Sequence, residues 1–209
     1  MAAPLLGQLG GTAAAAGSAA DPAFALLDGL SELRVTDLAL TRLASEGIAI
    51  QAVEPAVPIS GADGAVVGVR MPPEYATGTI ALTGEPGTGG ARLRGGVVLV
   101  SADARMEITG IRGSVPDNRV FAFLQVNDEW VGELPLYTWD PAAVRLSVLP
   151  GAPGKPTVIK GSGIPVTAAQ EGLDAFAEAF GATLFAPTDV VFTTSVEGNA
   201  WPLPYPPNS

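Results

Sequence analysis

The side chains able to do chemistry gather in one stretch of the chain. Glu107, Asp128, Glu129, Glu133, Tyr137 and Asp140 lie there, interleaved with Phe121, Phe123, Trp130 and Trp139. Carboxylates and a phenol can act as general acid and base, and two acids roughly 5 to 10 Å apart across a cleft can hydrolyse a glycosidic bond. Glu107 with Glu129 or Glu133, together with Tyr137, are therefore the candidate catalytic residues. Phe121, Phe123, Trp130, Tyr137 and Trp139 are the candidate ligand-binding residues. Rings on paired strands line an apolar pocket or, on an open face, form a carbohydrate- or protein-binding surface. The same residues also read as ordinary structure, with solvated charges at a turn and rings filling a core.

The 209-residue chain contains no His and no Cys. A Ser-His-Asp triad, a Cys nucleophile, a His proton shuttle and Cys/His metal sites are thereby excluded. Calcium needs only oxygen ligands, but no EF-hand spacing or repeated Gly-Asp motif surrounds the acidic residues, so no metal site is expected. Gly161-Ser162-Gly163 lacks the context of a nucleophile elbow. The glycine-rich run at 84–90 lacks the Lys-Ser/Thr ending of a phosphate loop and reads as a flexible hairpin loop. With 21 acidic against 11 basic residues, the net charge of −10 repels a phosphate backbone, and nucleic acid is not an expected partner.

The elements that must position these groups are mostly strands. Charged residues make up only 15% of the chain, and 26 Gly and 19 Pro supply the punctuation that many short strands require. Near-alternating apolar patterning predicts strands near 33–41, 46–53, 64–70, 76–83, 91–101, 104–112, 118–127, 130–137, 142–149, 156–162 and 188–196. Asn127-Asp128 tolerates the positive φ of a tight turn, which predicts an antiparallel pair of strands 118–127 and 130–137. Asp21-Pro22 can open a helix through Leu30, with Phe24, Leu27 and Leu30 on one face. A second helix is predicted over 167–180, with Thr167 and Gln170 as a capping box and Gly181 as its stop. The expected fold is mainly β, an antiparallel β-sandwich or distorted β-barrel, with an N-terminal helix and one helix before the last strand.

Residues 2–20 are small, apolar and uncharged, with Ala-x-Ala runs around Ala13 to Ala16, and resemble the later part of an actinobacterial twin-arginine export leader. On that reading the protein is secreted or at the cell surface; if the segment is only a flexible tail, it is cytoplasmic. No run approaches the ~20 apolar residues of a membrane span, so a transmembrane protein is not expected. The expected organisation is a leader remnant or tail at 1–20, a single β-rich domain at 21–197 and a Pro-rich tail at 198–209.

From Gly95 to Val196 the chain runs GGVVLVSADARMEITGIRGSV, NRVFAFLQV, ELPLYTWD, GIPVTAAQEGLDAFAEAFG and DVVFTTSV. This order resembles the HtaA-like domains of actinobacterial secreted and surface proteins. The resemblance implies a β-rich domain at the cell surface, and some members of that family hold haem through a Tyr supported by a His. No His exists here, which leaves Tyr75 and Tyr137 as the conceivable oxygen ligands.

The functional expectation is a non-enzymatic binding or structural domain whose partner is a small molecule, a cell-envelope component or a second copy of the chain in a homo-oligomer. No cofactor is expected. Two alternatives stay open: a cofactor-independent β-barrel enzyme of cyclase or isomerase type, and a haem binder that uses Tyr alone.

Overall fold

The computed structural model describes residues 23–80, 86–115 and 117–203. The export-leader reading of 2–20, the end of the strand expected at 76–83, the first residues of the 84–90 loop and the tail beyond 203 lie outside them. In chain order the elements are β1 (Ala23–Val35), α1 (Asp37–Ser45), β2 (Ala49–Val53), β3 (Val57–Ser60), β4 (Val66–Met71), β5 (Pro73–Ile80), β6 (Pro86–Leu93) and β7 (Gly96–Val100). There follow β8 (Arg105–Ser114), β9 (Arg119–Val126), β10 (Glu129–Trp139), β11 (Leu146–Leu149), β12 (Thr157–Ala168), α2 (Gln170–Phe180) and β13 (Val190–Pro202).

Every strand pairing is antiparallel, and the hydrogen-bonded path runs through β12, β10, β9, β8, β6, β5, β1 and β13, then returns to β12. The sheet is thus ring-like, a mainly β fold of the sandwich or distorted-barrel type. Two long strands shape it by changing partners. β1 pairs with β5 through residues 23–26 and with β4 through 31–34. β8 pairs with β7 through 105–109 and with β6 through 112–114. One end of the molecule is therefore a ring, and the other splays into facing layers filled by Val69, Met71, Met106, Ile108, Leu124 and Phe176. β3 and β11 end the hydrogen-bonded path and carry the exposed Val57 and Leu149.

The hairpin at Asn127-Asp128 forms as its sequence predicts, with φ of 50° and 67° and Glu129 opposite Val126. Gly181 closes α2 in the left-handed region at φ 68°. The helix begins later than the capping-box reading implied: Ala169 is its N-cap, and Thr167 stays in β12 with its hydroxyl 2.9 Å from that of Thr138. Cross-strand pairing has claimed the side chain that a cap would have used.

The N-terminal stretch differs more. Residues 23–35 are a strand, and the first helix is α1, in part of the segment expected to be a strand at 33–41. A bulge between Leu26 and Asp28 shifts the alternation of β1, so Phe24 and Leu26 line the interior before it and Ser31 and Leu33 after it. That break in phase produced a false helical stripe. In α1, Thr36 caps the helix by accepting from the Ala39 N–H at 3.3 Å, and Ala39 and Leu43 are its buried i, i+4 pair. Leu38 and Leu40 only imitate alternation. Residues 86–90 of the expected loop belong to β6, and the last strand continues through Pro202, past the tail boundary expected at 198.

Candidate functional site

Strand alternation divides the candidate residues between two faces of the sheet. Phe121, Phe123 and Trp130 lie on the outer face of β9 and β10, whereas Tyr137 and Trp139 point into the ring. On the outer face the Phe123 and Trp130 rings are 5.4 Å apart. The Arg92 guanidinium lies 5.3 Å from the Phe123 ring centroid and that of Arg112 lies 4.4 Å from the Phe121 centroid. Gly110, at φ 59° in a bulge of β8, leaves the space that the Phe123 ring covers.

The candidate carboxylates are on the outside as well. Glu133 accepts from Arg112 at 2.6 and 3.0 Å, and this hydrogen bond holds its carboxyl below the ordinary value. Glu107 accepts from Arg105, which also reaches Asp128 at 3.4 Å, and Glu129 is exposed at the hairpin. The structure therefore keeps Glu107, Glu129 and Glu133 away from Tyr137. Among the described residues no group of three His, Cys, Asp or Glu side chains converges on a metal-sized site.

Inside the ring is a chamber of about 310 Å³. It arises from a row of small residues around the wall: Ala76 pairs with Ala91, Ala91 with Gly113, Gly113 with Val120, and Val120 with Tyr137. Tyr137 is the large member of that row, and the space beside it is what its neighbours leave unfilled. Phe24, Leu26, Leu146, Ile159, Ile164 and Val166 complete much of the apolar wall. A second void of about 110 Å³ lies toward α1 and α2. Leu33, Ile111, Tyr137 and Phe192 line both voids and so form the partition between them. The chamber shares Gly29, Leu30, Leu146, Val196, Glu197 and Gly198 with an open groove on the outer surface, and the paired β1 and β13 residues of this set are the wall between the two.

Two hydroxyls face the chamber without a hydrogen bond to any other described residue, those of Tyr137 and Ser31. Ser31 is only 6% exposed. Burial pushes the Tyr137 phenol up to about 12, so at neutral pH it is protonated and can donate. Among the described residues the side-chain oxygen closed off without a partner is that of Asn118, so the two hydroxyls are open to the chamber and each can donate into it. Among the described residues the one charged residue on the chamber wall is Glu197, which pairs with the exposed Leu30 and lies 2.8 Å from Lys160. The sequence reading found Tyr137 and Trp139 but missed Ser31 and the small-residue row, because small side chains carry no pattern until the strand register is known.

The fold and the site together define a mainly β domain with an internal apolar chamber. Among solved structures, the C-terminal domain of HtaA from Corynebacterium glutamicum has a similar fold, with a TM-score of 0.52 and 13% identity over 85% of this chain and 99% of that one. At this identity the likeness is one of fold. No family model and no curated protein matches the chain.

The haem implied by the HtaA resemblance does not suit these residues. No imidazole is present in the chain to support a tyrosine. The enclosure of Tyr137 opposes the phenolate that iron ligation requires, and among the described residues no Lys or Arg lines the chamber to offset it. Tyr75 lies outside the chamber wall and is 48% exposed.

Proposed function

We propose that this chain is a non-enzymatic binding domain, secreted or displayed at the cell surface, that holds a small apolar molecule inside its ring. The observation that carries this reading is the chamber itself: about 310 Å³, walled mainly by apolar side chains, with two hydroxyls that have no partner among the described residues. That size is at the lower end of small-molecule sites, which run roughly 300 to 1,000 Å³. The HtaA-like fold and the leader-like segment at 2–20 support a role outside the cytoplasm. Among the described residues, no helix is long and apolar enough to cross a membrane.

Catalysis is the weaker reading because, among the described residues, the chamber holds no unpaired carboxylate. Its acid, Glu197, is bound to Lys160, and Glu107, Glu129 and Glu133 are on the outside. Self-association draws separate support from the exposed apolar residues on the terminal strands β3 and β11. Strand addition there would appear as concentration-dependent dimers in sedimentation and is compatible with an occupied chamber.

The direct test is organic extraction of protein purified from its native source, followed by mass spectrometry, on the unaltered chain and on Gly113→Leu. The reading predicts one small apolar species in near-stoichiometric amount from the former and its loss from the latter. Equal recovery from both, or none from either, refutes it.

A further inference from the structure

The chamber is polar at one end and apolar at the other. Ser31 is followed on the inward face of β1 by Leu33, and Leu33 belongs to the same partition as Tyr137. The two unpartnered hydroxyls thus lie toward the partition. Toward the beginning of β1 the wall is Phe24 and Leu26, with Leu146 and Ile159 packed into the same apolar cluster.

Charge narrows the choice of ligand. Among the described residues no Lys or Arg lines the chamber, so an ionised carboxylate or phosphate beside the two hydroxyls would be buried without a counter-ion. A cation would find no unpaired carboxylate among them, because Glu197 is engaged by Lys160. The outer groove likewise has its charges engaged. Glu32 accepts from Arg70 at 2.9 Å, Asp28 accepts from the Asn199 N–H at 3.2 Å, and Arg145 donates to the carbonyls of Ala142 and Val144.

We infer that the chamber selects an uncharged, mainly apolar molecule with one oxygen-bearing end, an alcohol or a neutral carbonyl, seated with that oxygen at Ser31 and Tyr137 and its apolar chain toward Phe24 and Ile159. The inference rests on the binding reading above and adds the class and orientation of the ligand. Ser31 and Tyr137 are specificity residues in this arrangement: each donates to the head-group oxygen, and neither touches the chain's far end.

Calorimetric titration of the full chain with 1-octanol, octanoate and 1-bromooctane at neutral pH tests it. The expected result is 1-octanol binding at least about tenfold more tightly than octanoate, since the carboxylate must lose its water without gaining a cation. Tyr137→Phe and Ser31→Ala should each weaken 1-octanol by roughly fivefold to tenfold, the range of one hydrogen bond to a neutral group, and leave 1-bromooctane unchanged. A fold defect would move both probes together, so the ratio isolates the head-group contact. Octanoate binding as tightly as 1-octanol, or 1-octanol undiminished in both variants, overturns the head-group assignment while the binding reading stands. Failure of all three probes to bind overturns both.

Discussion

Tyr137 and Phe192 meet edge to face, with ring centroids 4.8 Å apart and planes at 78°. The contact fixes the phenol at the boundary of two voids, where its ring packs and its hydroxyl finds no partner among the described residues. Tyr137→Phe keeps the ring contact and removes only the unpaired hydroxyl. The variant should be as stable as the parent to within about 1 kcal/mol, because no internal hydrogen bond to a described residue is lost. Denaturant unfolding measures this; a loss above about 1 kcal/mol would mean that the hydroxyl does have a partner.

Gly113 is the position from which the chamber can be filled. A Cβ there would meet the Arg119 carbonyl oxygen at 3.6 Å and Val120 Cγ2 at 3.9 Å, both ordinary contacts. Gly113→Leu should therefore fold, project its side chain into the void and weaken apolar ligands by at least about tenfold, a change of about 1.4 kcal/mol. Circular dichroism with a binding titration checks both halves; a folded variant with undiminished affinity would move the ligand elsewhere.

Gly172 sets two effects against each other. Replacing a helical Gly by Ala normally stabilises by about 1 kcal/mol. Here a Cβ would come within 2.3 Å of the Leu136 carbonyl oxygen, a backbone atom that cannot swing aside, so α2 must be displaced from β10. Overpacking of this kind costs about 1 to 3 kcal/mol, and the net prediction is destabilisation. A higher melting temperature for Gly172→Ala would contradict the close approach of helix and strand.

Acid should unfold the protein through a few identifiable carboxylates. Glu32 and Glu133 are held below the usual range by Arg70 and Arg112, Glu171 by its own backbone N–H and then Arg119, and Asp189 by the Ala186 N–H and then Arg42. Each folded-state value is the lower one, so as pH falls the unfolded chain takes up protons first. The stability these groups confer is full above about pH 5 and is lost as pH drops through their depressed values. Tyr137 has the opposite sense: its raised value means that stability is lost above about pH 10, where the unfolded phenol ionises first. With no His or Cys in the chain, unfolding midpoints should be flat between roughly pH 6 and 9. A step near pH 6.5 would contradict this assignment.

The mainly β class, the Asn127-Asp128 hairpin and the stop at Gly181 were legible because each depends on local chemistry: alternation, tolerance of positive φ and a left-handed cap. The strand at 23–35 was not, since a bulge at Leu26 and Asp28 shifts its phase and imitates a helical stripe. The aromatic cluster was visible as a set, but its division between the two faces depends on register. Tyr137 was found in the company of Glu129 and Glu133, yet its neighbours in the structure are Val120 and Phe192. The chamber was least legible of all, being made by Ala76, Ala91 and Gly113 from distant parts of the chain. Absence of side-chain volume becomes a feature only when those residues are brought side by side.

The central claim is that the ring interior, rather than the aromatic outer face, is the binding site. Methyl-resolved NMR of the full chain titrated with 1-octanol tests it most directly. Saturable shifts are expected at Leu33, Ile159, Ile164 and Val166, with Val131 on the outer face of β10 unmoved. Shifts confined to outer-face residues, or a response that never saturates, would contradict it.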